Sequence, residues 1–246
     1  MRYHVRTGRT PALQNGTCDI GKIGNAPVVF FARRMAFLSD NCIFCELTQE
    51  LLDACSPFSC GSDDLDDFFA NDAVRYAKFL MGKTYCFRVN SAPSKFVCMF
   101  TLSNDSIRIY DLPRGRRDHM RSLTHHEKPL RRYPGVLVGR LGVNVEFGGI
   151  GIGSETLDFI KGWFSSRDNK TGCRFVIVDA VNEPRVVSFY EKNGFYPLFS
   201  SEEQEFLYTG GKKGDPVSLS TRFMYFDLLE MRMAYERDQP DTNLKS

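Results

Sequence analysis

Residues 137–157 read LVGRLGVNVEFGGIGIGSETL, and the reading of this stretch decides the fold. Val136 to Val145 is dense in Val and Leu, the composition of a buried strand. The chain then passes through Gly148, Gly149, Gly151 and Gly153 into a segment where Ile152, Leu157, Ile160 and Phe164 recur at helical spacing. A strand, a glycine-rich turn and a helix start in direct succession form a place to bind an anion. Glycines let the backbone approach a ligand, and the N–H groups of the first helical turn point at it with the positive end of the helix dipole behind them. A tight turn alone needs fewer glycines than this. The expected contacts are the N–H groups of Gly149, Ile150, Gly151, Ile152, Gly153 and Ser154.

The glycine spacing separates the candidate anions. A dinucleotide fold uses GxGxxG near the start of a βαβ unit, and a P-loop uses GxxxxGK followed by Ser or Thr. Neither fits, because no Lys follows Gly153 and the turn lies late in the chain. The spacing resembles V-x-x-x-x-(Q/R)-x-x-G-x-(G/A), the pyrophosphate signature of the GNAT acyltransferase superfamily. Here it runs through Val143, Gly148, Gly151 and Gly153. The resemblance implies a mixed α/β (α+β) fold with a mostly antiparallel sheet and a splayed central parallel strand pair. It also implies acetyl-CoA as cofactor. Gly148 stands in the Gln/Arg slot, a departure that removes a side chain from the pyrophosphate and leaves its work to main-chain amides.

Composition is that of an ordinary globular chain, with 246 residues, 42% hydrophobic and 25% charged. A formal net charge of +2 does not by itself imply a nucleic-acid partner. No apolar run has the length of a membrane span, and no apolar region follows Arg2, Arg6 and Arg9 as in a secretory signal. The eight cysteines fit reduced, buried thiols of a cytoplasmic protein. Cys42 and Cys45 form a CxxC with Cys55 and Cys60 behind it, but the second pair has the wrong spacing for zinc and a helix is predicted between the two. Ordinary burial is the expectation.

Three segments are expected: an N-terminal extension over 1–40, an acetyltransferase domain over 41–229 with a basic insertion at 106–133, and a tail over 230–246. The extension holds turn formers and little periodicity before APVVFFARR, and Met35 offers an alternative start. Cys42 to Leu47 reads as a strand and Thr48 as the cap of a helix. Ser62, followed by Asp63 and Asp64, reads as a second cap. The helix after it carries Leu65, Phe68, Phe69, Ala73, Tyr76 and Phe79 at helical spacing. Strands over 84–90 and 95–103 follow, joined by a hairpin through 91–94. The order F-x-C-G-x-x-x-L-x-x-F, helix, strand and F-T-L-S resembles the toxin-type branch of GNAT enzymes. Val136 to Val143 is similar to that branch's V-L-x-G-R-L-A-V, with Gly142 in place of Ala. The branch implies acetylation of the amino acid on charged tRNA and a ribbon-helix-helix antitoxin as partner. A homodimer is compatible with it.

Residues 106–135 carry Arg114, Arg116, Arg117, Arg121, Arg131 and Arg132 with three histidines. They fit a solvated loop and helix, or a phosphate-contacting RNA face. Metal binding by His119, His125 and His126 lacks supporting carboxylate or Cys spacing. After the central helix, 173–178 reads as a buried strand parallel to the first. Asn182 then reads as a cap, Pro184 as an early helix residue and Gly194 as the stop. FYEKNGF (189–195) resembles the F-Y-x-x-x-G-F helix end of GNAT enzymes. A hairpin loop over 210–215, a tail strand over 222–229 and a surface helix complete the expectations.

Acetyl transfer from a thioester to an amine needs the donor held, an oxyanion met by hydrogen-bond donors, and a proton for the leaving thiolate. The resemblance assigns the second task to main chain around Leu141, Gly142 and Val143, and the third to Tyr190, whose phenol is protonated at neutral pH. Asn182 is a candidate contact to the pantetheine arm. Glu146 is offset from the position a general base would take. The reading is an acetyl-CoA-dependent N-acetyltransferase for the α-amine of an aminoacyl-tRNA. Two alternatives stay open: an acetyltransferase for a small-molecule or protein amine, and a silent coenzyme A-binding module.

Overall fold

In the computed structural model, residues 36–122, 130–166 and 169–238 are described. His125 and His126, and most of the expected N-terminal extension, lie outside them. The Val/Leu-rich stretch is strand β4 (Arg132–Val143), the middle member of a seven-stranded sheet. Its companions are β1 (Cys42–Glu46), β2 (Lys83–Val89), β3 (Ala92–Arg108), β5 (Phe175–Val181), β6 (Tyr196–Pro197) and β7 (Thr221–Asp227), in the order β1-β2-β3-β4-β5-β7-β6. Every adjacent pair is antiparallel except β4 and β5. The parallel pair is short: Gly135, Val136 and Leu137 face Phe175, Val176 and Ile177, and there the pairing stops. This is the mixed, splayed sheet expected from the sequence.

The parting of β4 and β5 has a local cause. Leu102 of β3 faces Val138 while Thr101 faces Arg140, so Gly139 is an extra residue in β4. Such a bulge bends the strand that carries it. It falls two residues after the last parallel pair, and from Val138 onward the β5-facing edge of β4 is open.

Both sheet faces are covered, which is why β5 reads as a continuous apolar run. Val176, Val178 and Ala180 enter one core with Leu38, Leu157 and Ile160, beneath helices α1 (Ala36–Asn41) and α6 (Ile152–Ser165). Phe175 and Ile177 enter another with Met120 of α5 (Arg114–Ser122). The β1–β3 end of that second face lies under α2 (Gln49–Ala54), α3 (Asp63–Asp67) and α4 (Ala73–Lys78), through Phe68, Phe69 and Ala73. The chain closes with α7 (Pro184–Lys192), α8 (Glu202–Tyr208) and α9 (Leu228–Asp238).

Several expectations need correction. Thr48 caps α2, accepting the Leu51 N–H, but Ser62 makes no cap bond. The Asp66 carboxylate orders that corner instead, taking the Cys60 N–H and the Ser59 hydroxyl. A π-turn at Phe68–Asp72 separates α3 from α4. Phe79 is the C-cap just past the end of α4, where it lies beside Arg75 and is 66% exposed. The β2–β3 hairpin turns at Asn90 and Ser91, since Val89 already faces Ala92. β3 runs on to Arg108, pairing with Arg132, so residues 106–108 and 132–133 belong to the sheet. The 210–215 loop is not a hairpin loop, because it follows helix α8, capped by Ser201, on the way to β7. Leu228 and Leu229 begin α9 rather than end β7.

Candidate active site

The glycine turn is fixed at its root before it opens. Asn144, buried, accepts the Glu146 N–H and donates to the Phe96 carbonyl, and the Val145 N–H reaches the Ser59 carbonyl. Sequence reasoning missed Asn144, whose signal is a lone Asn between the strand and the glycines. After the short turn Val145–Phe147 the chain runs through Gly149 and Gly151, at φ of 78° and 95°, where a side chain would be strained. Gly151 is the N-cap of α6 and offers no side chain to its first turn. The first intrahelical bond runs from the Glu155 N–H to the Gly151 carbonyl. The N–H groups of Ile152, Gly153 and Ser154 therefore lack intrahelical partners and carry the dipole's positive end. Gly148 has an ordinary φ of −64°, so its conformation does not demand glycine, but a Cβ there would lie 3.2 Å from the Val145 carbonyl.

Two further glycines set close contacts. A Cβ at Gly153 would lie 3.1 Å from the Phe189 ring, so its absence lets α7 rest against the start of α6. A Cβ at Gly142 would lie 3.1 Å from Phe69 and 3.2 Å from Cys60. Gly in place of the expected Ala is thus a packing choice on the α3 side of β4. Leu141 and Val143 join the α6-side core. Arg140, on the same strand, stacks its guanidinium 3.8 Å over Phe68 and so braces the helical layer.

Tyr190 sits on α7 between Phe189 and Phe195, with ring centroids 5.2 and 5.4 Å away. Burial pushes its phenol up to about 12, which keeps the proton on. A buried brace that the sequence did not reveal sets this helix against α6. Lys161 Nζ binds Asp158 at 3.1 Å and the Asn193 carbonyl at 2.7 Å, and lies 4.4 Å over the Phe226 ring. Asn193 is the C-cap of α7.

Glu183, not Asn182, is the N-cap of α7, with Pro184 following as expected. The Asn182 amide donates to the Leu219 carbonyl, which ties it to the segment entering β7. Glu146 is exposed and pairs with Lys95 at 2.6 Å. On α5, Arg114, Arg117 and Arg121 share one face, while Arg116 faces Tyr225 and opposes the burial that raises its phenol. Arg114 is exposed beside Asp118 at 3.7 Å. Arg131 and Arg132 are exposed at the start of β4, where Arg132 reaches the Ser106 hydroxyl. His119 lies 3.5 Å from Glu230. Cys42 and Cys45 enter cores on opposite sheet faces, so the CxxC pair does not converge. Among the described residues no group of three or more His, Cys, Asp and Glu is placed to hold a metal, and no helix is long and apolar enough to cross a membrane.

No protein-family model and no curated protein matches this chain. Its fold matches solved structures. AtaT complexed with acetyl-methionyl-tRNAfMet superposes with a TM-score of 0.59 at 18% identity, covering 79% of this chain and 99% of AtaT. AtaTR bound with AcCoA gives 0.57 at 19% identity, over 80% and 99% of the two chains. A tyrosine-to-phenylalanine mutant of KacT gives 0.59 at 15%, over 79% and 99%.

Proposed function

We propose that this chain, whose fold is that of the GNAT-type toxins, is an acetyl-CoA-dependent N-acetyltransferase acting on the α-amine of an aminoacyl-tRNA. One observation carries the proposal. The uncapped N-terminus of α6 adjoins the opening where β4 leaves β5, and Phe189 of the tyrosine-bearing helix rests against that same first turn. The acceptor class is supported by the neighbours, one of which holds an acetylated aminoacyl-tRNA.

The residues present fit acetyl-CoA. Gly149 and Gly151 hold a main-chain curve closed to side chains, and the amides from Gly149 to Ser154 suit a pyrophosphate. Bound there, the cofactor supplies an activated acetyl thioester. Main chain at Leu141–Val143 then receives the carbonyl oxygen as charge develops on it. The Tyr190 hydroxyl, kept protonated by burial, donates to the departing sulfur. Asn182 contributes at most through the amide atoms its bond to Leu219 leaves over. Glu146 is engaged with Lys95, and the α-amine of an aminoacyl ester is acidic enough to deprotonate near neutral pH without a dedicated base. The Arg114–Arg117–Arg121 face, with Arg131 and Arg132, offers guanidinium groups to the tRNA backbone. A charged-tRNA substrate places the protein in the cytoplasm. It also makes a ribbon-helix-helix antitoxin the expected partner, and a homodimer suits a partner of that two-fold type. Residues 41–229 form the catalytic unit in this reading.

The test supplies radiolabelled acetyl-CoA with a panel of charged tRNAs and, separately, free amines and peptides. Label in tRNA that survives until base hydrolysis, and is absent with uncharged tRNA, is the expected result. Label only in free amines or peptides redirects the acceptor. Tight acetyl-CoA binding with no transfer to any acceptor makes the chain a silent binding module.

A further inference from the structure

On the sheet face under α2–α4, away from the cleft, Cys45 of the edge strand β1 sits directly opposite Cys86 of β2. Directly opposed residues of an antiparallel pair share a face, and the two sulfurs are 3.5 Å apart. Opposed strand positions have Cα separations of about 4.5–5.5 Å, inside the range a disulfide spans. Cys45 is half-buried, while Cys86 is fully buried beneath it. The Arg88 guanidinium lies beside Cys45 with its Nη1 on the Pro93 carbonyl, and its Nε is buried without an acceptor. Arg88 is only partly buried and lies beside Cys55 as well, so a thiolate at either cysteine gives this cation a counter-charge.

We propose that Cys45 and Cys86 are a reversible oxidation site whose oxidant is a hydroperoxide, with Cys45 the attacking thiol and Cys86 the resolving one. The Cys45 thiolate attacks the O–O bond of the hydroperoxide. Its sulfur takes the terminal hydroxyl as a sulfenic acid, and the other oxygen leaves as an alcohol, or as water from hydrogen peroxide, after taking a proton from solvent. Cys86 sulfur then displaces that hydroxyl. The S–S bond forms as the S–O bond breaks, and the Cys86 proton leaves with the hydroxyl as water. Two thiols are oxidised and one hydroperoxide is reduced, and a dithiol reverses the change by exchange.

The division of roles follows from environment. A hydrogen bond from Cys86, then Arg88, holds the Cys45 thiol down to about 6, against burial. Cys86 is pushed up by its bond to Cys45 and by burial, so the shared proton stays on Cys86. Burial raises Cys42, Cys60, Cys98 and Cys173.

The experiment treats the full, reduced chain with a small excess of hydrogen peroxide and maps peptides by mass. The expected result is one disulfide joining Cys45 and Cys86, a mass loss of about 2 Da that a dithiol reverses, formed at least about tenfold faster than any change at Cys55. In Cys86→Ser, a dimedone adduct accumulates on Cys45. The wild-type arm needs no variant to fold. The proposal is overturned if oxidation starts elsewhere, if the disulfide links another pair, including one with Cys18, or if Cys45 reacts no faster than Cys55. It is equally overturned if a folded Cys86→Ser protein traps no sulfenic acid.

Discussion

Replacing Lys161 by Met tests the brace that holds α7 against α6. The Lys161 and Asp158 side chains are each 3% exposed, so their ion pair is almost fully withdrawn from water. Without the ammonium, Asp158 is a buried carboxylate with no cation, and its Oδ2 already lacks a hydrogen-bond partner. The Asn193 carbonyl also loses its donor at 2.7 Å. Removing one member of a buried pair costs about 3–5 kcal/mol, and the orphaned carbonyl adds about 1 kcal/mol. A total of about 4–6 kcal/mol is a large part of a domain's net stability of about 5–15 kcal/mol. Lys161→Met combined with Asp158→Leu removes both charges and restores most of the loss. Urea unfolding reads this through Trp163, the single Trp of the chain, whose ring lies 5.0 Å from Tyr85 and 5.3 Å from Phe44. The midpoint falls sharply in the single variant and recovers in the double. A single-variant loss under about 1 kcal/mol refutes the reasoning, as does a double variant no better than the single.

Other outcomes test the site piece by piece. Gly153→Val, larger than the Gly or Ala the signature takes there, drives a branched side chain into the Phe189 ring 3.1 Å from its Cβ, an overpacking of about 1–3 kcal/mol, and calorimetry with acetyl-CoA shows weaker binding by an order of magnitude or so. Gly148→Gln restores an amide beside the pyrophosphate, and the same titration shows binding tightened by about 1 kcal/mol, near fivefold. Arg114→Glu with Arg117→Glu weakens charged-tRNA binding and lowers its salt slope by about two, while acetyl-CoA affinity holds. For Tyr190 the folded pKa stands above the unfolded value near 10. The folded state therefore holds its proton longer, and the resulting stability is complete below about pH 10 and lost as pH rises towards 12. Tyr190→Phe makes that alkaline decline shallower in thermal melts, and wild-type turnover shows no basic limb from this phenol below about pH 11.

The strand, the glycine turn, the parallel partner and the FYEKNGF helix were legible because each rests on local periodicity or on residues with special backbone needs. The splay was implied by resemblance, yet its cause, the extra residue Gly139, emerges only from the register against β3. The polar end of β3 through Ser106 and Arg108 hid its strand character, since pairing with β4 rather than composition makes it a strand. Lys161 was illegible for a related reason. A lysine in a helix reads as solvent-facing until the Asn193 carbonyl and Asp158 are seen to enclose it. Ser62 had a cap's residue type but makes no side-chain cap bond, and the corner is held instead by Asp66 reaching back to Ser59 and Cys60 ahead of the helix.

The most direct measurement compares acetyl-CoA with S-acetylpantetheine, which carries the same thioester and arm but no pyrophosphate or nucleotide. If the amides at the start of α6 grip the pyrophosphate, wild-type protein binds acetyl-CoA at least about a hundredfold more tightly, roughly 3 kcal/mol. Gly151→Val, which strains the cap at φ 95°, erases most of that difference. Equal affinity for the two thioesters, or a difference untouched by the substitution, contradicts the account.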